Sequence, residues 1–133
     1  MNTKLLMIAS AVLMAVCGVA LQFAPHEILR YFGADASGIF PLFLQLIGAL
    51  YLGFAMMNYM ARGVLIGGIY SRPLATGNLA HFLVGALALL KYAYAAQNPL
   101  PVWTAAAIYS IFAILFGTTM FTHPLKEVKG SDK

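Results

Sequence analysis

Four stretches of about twenty residues run through this chain almost without charge, at positions 5–24, 40–61, 74–96 and 102–121. A helix needs roughly 20 apolar residues to cross a hydrocarbon core about 30 Å thick. In such a core only helices and closed barrels keep every backbone N–H and C=O paired. Composition removes the soluble alternative, since 62% of residues are hydrophobic and 9% charged. A soluble domain carries roughly 25% charge. The sequence therefore predicts an all-α integral membrane protein. Its 133 residues form a single transmembrane domain, an antiparallel four-helix bundle, with a tail at 122–133.

Prolines punctuate the spans. Pro25 and Pro41 bracket the first connection, and Pro73 suits the first turn of the third helix, where its missing N–H was unpaired anyway. The run "NPLP" at 98–101 reads as a turn, and Pro124 stops the fourth span. Residues 23–41 are too apolar for a free loop. Pro25 can open a short helix, Glu27 complements its positive end and Gly33 can close it. The expected object is an interfacial helix lying flat on the bilayer. Ile28, Leu29, Tyr31 and Phe32 would face lipid, and His26, Glu27 and Arg30 would face water.

Basic residues set orientation. Lys4, Arg62, Arg72, Lys126, Lys129 and Lys133 fall on one side, against Arg30 and Lys91 on the other. Both termini and the middle connection are expected in the cytoplasm, with the chain multi-pass in a bacterial inner membrane. A cleaved signal peptide is the rival reading of the first twenty residues. Retention is expected, because Leu21 and Phe23 carry the apolar run to full spanning length.

Helix packing in lipid uses small residues and interhelical hydrogen bonds. Small and polar residues recurring at three and four should mark inner faces. In the first span these are Ala11, Ala15, Gly18 and Gln22. In the second they are Gly48, Tyr51, Ala55, Asn58 and Arg62, with Gln45 at the margin. The third span offers His81, Gly85, Ala88, Tyr92 and Ala95, with Asn78 nearby, and the fourth Ala106, Ser110, Ala113 and Gly117.

The stretch "GGIYSRPLATGNLAH" at 67–81 concentrates residues the rest of the chain avoids. In the plainer account, Arg62 and Arg72 anchor the bundle at the interface, Gly63, Gly67 and Gly68 let the chain turn, and Asn78 and His81 hydrogen-bond across to the second span, at Asn58 or Tyr59. The functional account starts from the unpaired N–H groups of a helix start beside two arginines, which suit an anionic headgroup. Arg62, Arg72, Asn78 and His81 are its headgroup candidates, and Gln45, Tyr51, Asn58 and Tyr92 its bundle-lining polar groups.

Other classes lack their residues. The acidic residues, Glu27, Asp35, Glu127 and Asp132, all lie outside the spans, which disfavours a proton-coupled exporter. His26, His81 and His123 make no metal-ligand cluster, and there is no nucleophile set, P-loop or dinucleotide fingerprint. The lone Cys17 excludes an intramolecular disulfide. The scattered basic residues form no stripe for nucleic acid.

In length, four spans, the proline after the first span and the glycine-rich "QLIGALYLGFAMMNYMARG" at 45–63, the chain resembles small bacterial membrane proteins of the DoxX-like group. Some of these are membrane subunits of quinone-reducing complexes, so the resemblance implies a quinone or accessory-subunit role and carries over no catalytic residue. The expected function is non-catalytic: binding a lipid-like or quinone-like amphiphile, or serving as an accessory membrane subunit. Its partners would be membrane lipids, copies of itself or a larger membrane complex, with quinone the one cofactor candidate. The alternative is a small oligomeric transporter or channel, wet along Gln45, Tyr51, Asn58 and Tyr92.

Overall fold

A computed structural model of the protein describes residues 2–63, 71–95 and 100–121. Gly67, Gly68, Asn98, His123, Pro124 and the tail lysines lie outside the described residues. Over the described residues the chain is all-helical. It forms α1 (Thr3–Phe23), α2 (Pro25–Tyr31), α3 (Phe40–Met60), a 3₁₀ turn (Ala61–Gly63), α4 (Arg72–Ala95) and α5 (Leu100–Phe121). The four long helices are each long and apolar enough to cross a membrane. The expected spans are thus present, with shifted ends: α4 starts at Arg72, and α5 at Leu100, so Pro101 falls inside a first turn instead of a loop.

The chain divides into two compact units, a hairpin of α1 and α3 that carries α2 and a hairpin of α4 and α5. In the first hairpin Gln45 meets Gln22, Gly48 meets Gly18 and Asn58 meets Ser10, so the helices run antiparallel. Leu6, Met7, Ser10, Ala11, Met14 and Gly18 give α1 one buried stripe at helical spacing. On α3 the buried positions are Pro41, Gly48, Ala55 and Asn58. The backbones come closest at the glycines, where a Cβ on Gly48 would stand 2.9 Å from the Gly18 carbonyl oxygen. Of the small-residue stripes expected on these two helices, Ala11, Gly18, Gly48, Ala55 and Asn58 are buried, while Ala15 and Gln22 are half-buried. The Asn2 side chain accepts a hydrogen bond from the Leu5 amide and caps α1.

The short helix α2 forms where Pro25 and Gly33 bound it. Gly33 takes φ +68°, its amide donates to the Arg30 carbonyl at 3.0 Å, and the Ala34 amide donates to the Leu29 carbonyl at 2.9 Å. That pair of bonds is a Schellman closure, which favours glycine because the left-handed residue carries no Cβ. One expectation is corrected: Leu29 is buried, since α2 packs on α1 and α3 instead of lying only on lipid. Tyr31 and Phe32 do stay exposed, edge to face at 5.2 Å.

The second hairpin is also antiparallel, with Thr76 beside Met120 and Tyr94 beside Trp103. Its seam is aromatic: Phe82 is fully buried and stacks on Phe112 at 4.8 Å and on Phe116 at 5.8 Å. Here the expected stripe is corrected. The buried face of α4 is Ala75, Asn78, Phe82, Ala86 and Ala93, while Ala88, Tyr92 and Ala95 are exposed. Gly85 of the expected stripe does pack, under the Tyr109 ring, where an added Cβ would stand 2.6 Å from a ring carbon, and Phe82 turns Ala75, Ala86 and Ala93 into the seam beside it. The α5 stripe packs through buried Ala106 and Ala113. Ser110 and Thr119 donate their hydroxyls to the carbonyls of Ala106 and Leu115, so both are paired within α5.

Candidate functional site

The polar residues singled out above are divided between the two hairpins. Arg62 belongs to the first and Arg72, Asn78 and His81 to the second. Arg72 opens α4 and is exposed. Asn78, two turns further along, is buried, and its amide donates to the Leu74 carbonyl at 3.0 Å. His81 is half-buried among rings, with Tyr109 at 5.5 Å and Phe82 at 5.2 Å. The arrangement around His81 is a packed aromatic seam.

Of the bundle-lining set, three residues lie on α3. Gln45 is half-buried and donates to the Gln22 carbonyl at 3.5 Å, and Tyr51 is half-buried. Asn58 is fully buried and donates to the Ser10 hydroxyl at 3.0 Å and to the Met14 sulfur at 3.7 Å. Ser10 in turn donates to the Met7 carbonyl at 3.0 Å, so the seam holds a short relay of polar groups. Tyr92 is on α4 and 62% exposed. It stands near Lys91, Tyr94 and Trp103 at the end of the second hairpin opposite Arg72. Arg72 and Tyr92 are twenty residues apart, about 30 Å along a helix, which is the thickness of a bilayer core.

Beside the α1–α3 seam runs a groove of about 410 Å³ lined by Ala11, Val12, Ala15, Leu52, Ala55, Met56 and Tyr59, with no polar atom in its wall. The three alanines make it, because their short side chains leave space between two helices held close at Gly18 and Gly48. One end is marked by charge. The Arg62 guanidinium lies 3.9 Å from the centre of the Tyr59 ring, and its Nη1 donates to the Tyr59 carbonyl at 2.7 Å. The 3₁₀ turn that carries Arg62 packs on α1. Lys4, exposed in the first turn of α1, sits at this same end of the hairpin. The described carboxylates, Glu27 and Asp35, are in the connection at the far end.

The sequence pointed to Arg62 but not to the groove. Ala11, Ala15 and Ala55 were legible as a packing stripe, and the same shortness of side chain that packs on one edge opens a channel on the other. Tyr59 at i and Arg62 at i+3 share a face, which was the available signal for the ring–guanidinium contact. Among the described residues no three His, Cys, Asp or Glu side chains gather where a metal ion would be held. No family model, no curated protein and no solved structure matches the chain.

Proposed function

We propose that this is a non-catalytic membrane protein that holds a lipid-like or quinone-like amphiphile on its first hairpin, as a free-standing binder or as an accessory membrane subunit. One observation carries the reading: a wholly apolar groove whose end is marked by a guanidinium over an aromatic ring. Ligand sites of this kind combine an apolar wall with few placed polar groups. Basic positions at the membrane surface attract lipid headgroups. The resemblance to the DoxX-like group agrees with an accessory role. In the proposed topology both termini face the cytoplasm of a bacterial cell, where Lys4, Arg62 and Arg72 meet the inner leaflet, and Tyr92, Tyr94 and Trp103 form the opposite aromatic belt.

Site variants test it. Ala15→Leu fills the groove and should release an amphiphile that co-purifies with the wild-type chain, while Leu83→Ala, on an exposed face of α4, should retain it. Equal retention in both variants would contradict the reading.

A further inference from the structure

The groove and its cationic end allow a narrower reading than amphiphile binding in general. Building on that reading, we propose that the α1–α3 groove seats one acyl chain of an anionic lipid, drawn from the leaflet on the Lys4–Arg62 side, with the lipid's phosphate on the Arg62 guanidinium.

Three observations lead there. The first is charge. The groove wall offers no polar atom, so the headgroup's partner is at its end, where Arg62 presents only donors. Lys4 adds positive charge at that end of the hairpin, and the described carboxylates lie at the other. A phosphate takes a guanidinium in paired hydrogen bonds, and an anionic lipid brings that phosphate without the choline cation that offsets its charge in phosphatidylcholine.

The second is depth. Leu52, the groove residue furthest along α3 from Arg62, is ten residues away, about 15 Å of helix. That is half of a core about 30 Å thick. The groove therefore stays within one leaflet, which suits the chain of a lipid resident there and not a molecule that spans the bilayer. The third is preorganisation. Arg62 is already held, by the Tyr59 ring at 3.9 Å and by the Tyr59 carbonyl at 2.7 Å, so less side-chain freedom is lost when an anion arrives.

The test places a fluorophore in the groove. Val12 lines the groove and is 57% exposed, so Val12→Trp in a Trp103→Phe background puts the only indole of the full chain there. The protein is reconstituted in vesicles of phosphatidylcholine containing either chain-brominated phosphatidylglycerol or chain-brominated phosphatidylcholine. Bromine quenches the indole according to how often each lipid occupies the groove. The expected result is an apparent affinity for phosphatidylglycerol about fivefold higher, the effect of one basic residue at the surface. Arg62→Gln should bring the two lipids to parity with helicity unchanged, and Ala15→Leu should reduce quenching by both. Equal quenching that Arg62→Gln does not move overturns the anionic assignment; the broader amphiphile reading then falls only if no lipid or quinone co-purifies. Absence of quenching by either lipid shows the groove closed by protein and overturns the proposal directly.

Discussion

Asn58 shows how a single residue works inside a span. A bare amide in hydrocarbon is costly, and Asn58 is fully buried with its nitrogen on the Ser10 hydroxyl. Interhelical bonds of this kind are worth about 0.6 kcal/mol on average and up to about 2. A double-mutant cycle with Ser10→Ala and Asn58→Ala should return a coupling in that range, read from unfolding midpoints in mixed micelles. Strictly additive losses would mean that the contact contributes nothing. Outside the spans, Asp35 accepts from the Ser37 hydroxyl at 2.6 Å and from the Ser37 amide at 2.8 Å. Those two donors hold its carboxyl below the ordinary aspartate range, which lies near 3.9. Because the folded value is depressed, this contribution is complete above the unfolded value and is lost as pH falls through the folded one. Protection of the Ser37 amide in hydrogen exchange should therefore persist at pH values where a free aspartate is already half protonated. Loss of protection at or above that pH would contradict the assignment.

At the scale of elements, the two seams differ in what their closest approaches meet. The α1–α3 seam is closed by glycine, and an added Cβ on Gly48 would meet the Gly18 carbonyl at 2.9 Å and the Gln22 amide nitrogen at 3.0 Å. Backbone cannot step aside as a side-chain tip can, so Gly48→Ala should destabilise the hairpin by about 1–3 kcal/mol. Gly53, on the same helix, has no atom within 4 Å of the added carbon. Gly53→Ala should be neutral or stabilise by up to about 1 kcal/mol. Unfolding of both variants in one detergent checks the pair, and similar losses would sink the crossing as described. In the α4–α5 seam the contact is between rings, Phe82 on Phe112 and Phe116, with Gly85 making room for the Tyr109 ring. This contrast explains what could be read in advance. Where glycine and alanine make the contact, their spacing reveals the inner face of α1 and α3. Where rings share the contact, small residues are only a partial guide: Gly85, Ala106 and Ala113 pack in the seam, and Ala88 and Ala95 end up outside. The short helix α2 was legible because Pro25 and Gly33 are local signals. The burial of Leu29 was not, since it depends on packing against α1 and α3.

For the whole molecule, hydropathy alone revealed four spans, because length and lack of charge are properties of the chain and need no partner. The groove was not legible, because it exists only once two helices are in register. The proposed orientation rests on where the basic residues fall. In a Cys17→Ser background, Asn2→Cys should resist a membrane-impermeant thiol reagent in intact cells and His26→Cys should react, with the reverse pattern after inversion of the membrane. Labelling of Asn2→Cys from outside would overturn the topology. The central claim, that the first hairpin holds an amphiphile, is tested most directly by native mass spectrometry of the full chain released under mild conditions from its own membrane. The account predicts a peak heavier than the bare chain by the mass of one lipid or quinone, absent from the Ala15→Leu protein. A chain that leaves the membrane bare, or bound only to other polypeptides, would contradict it.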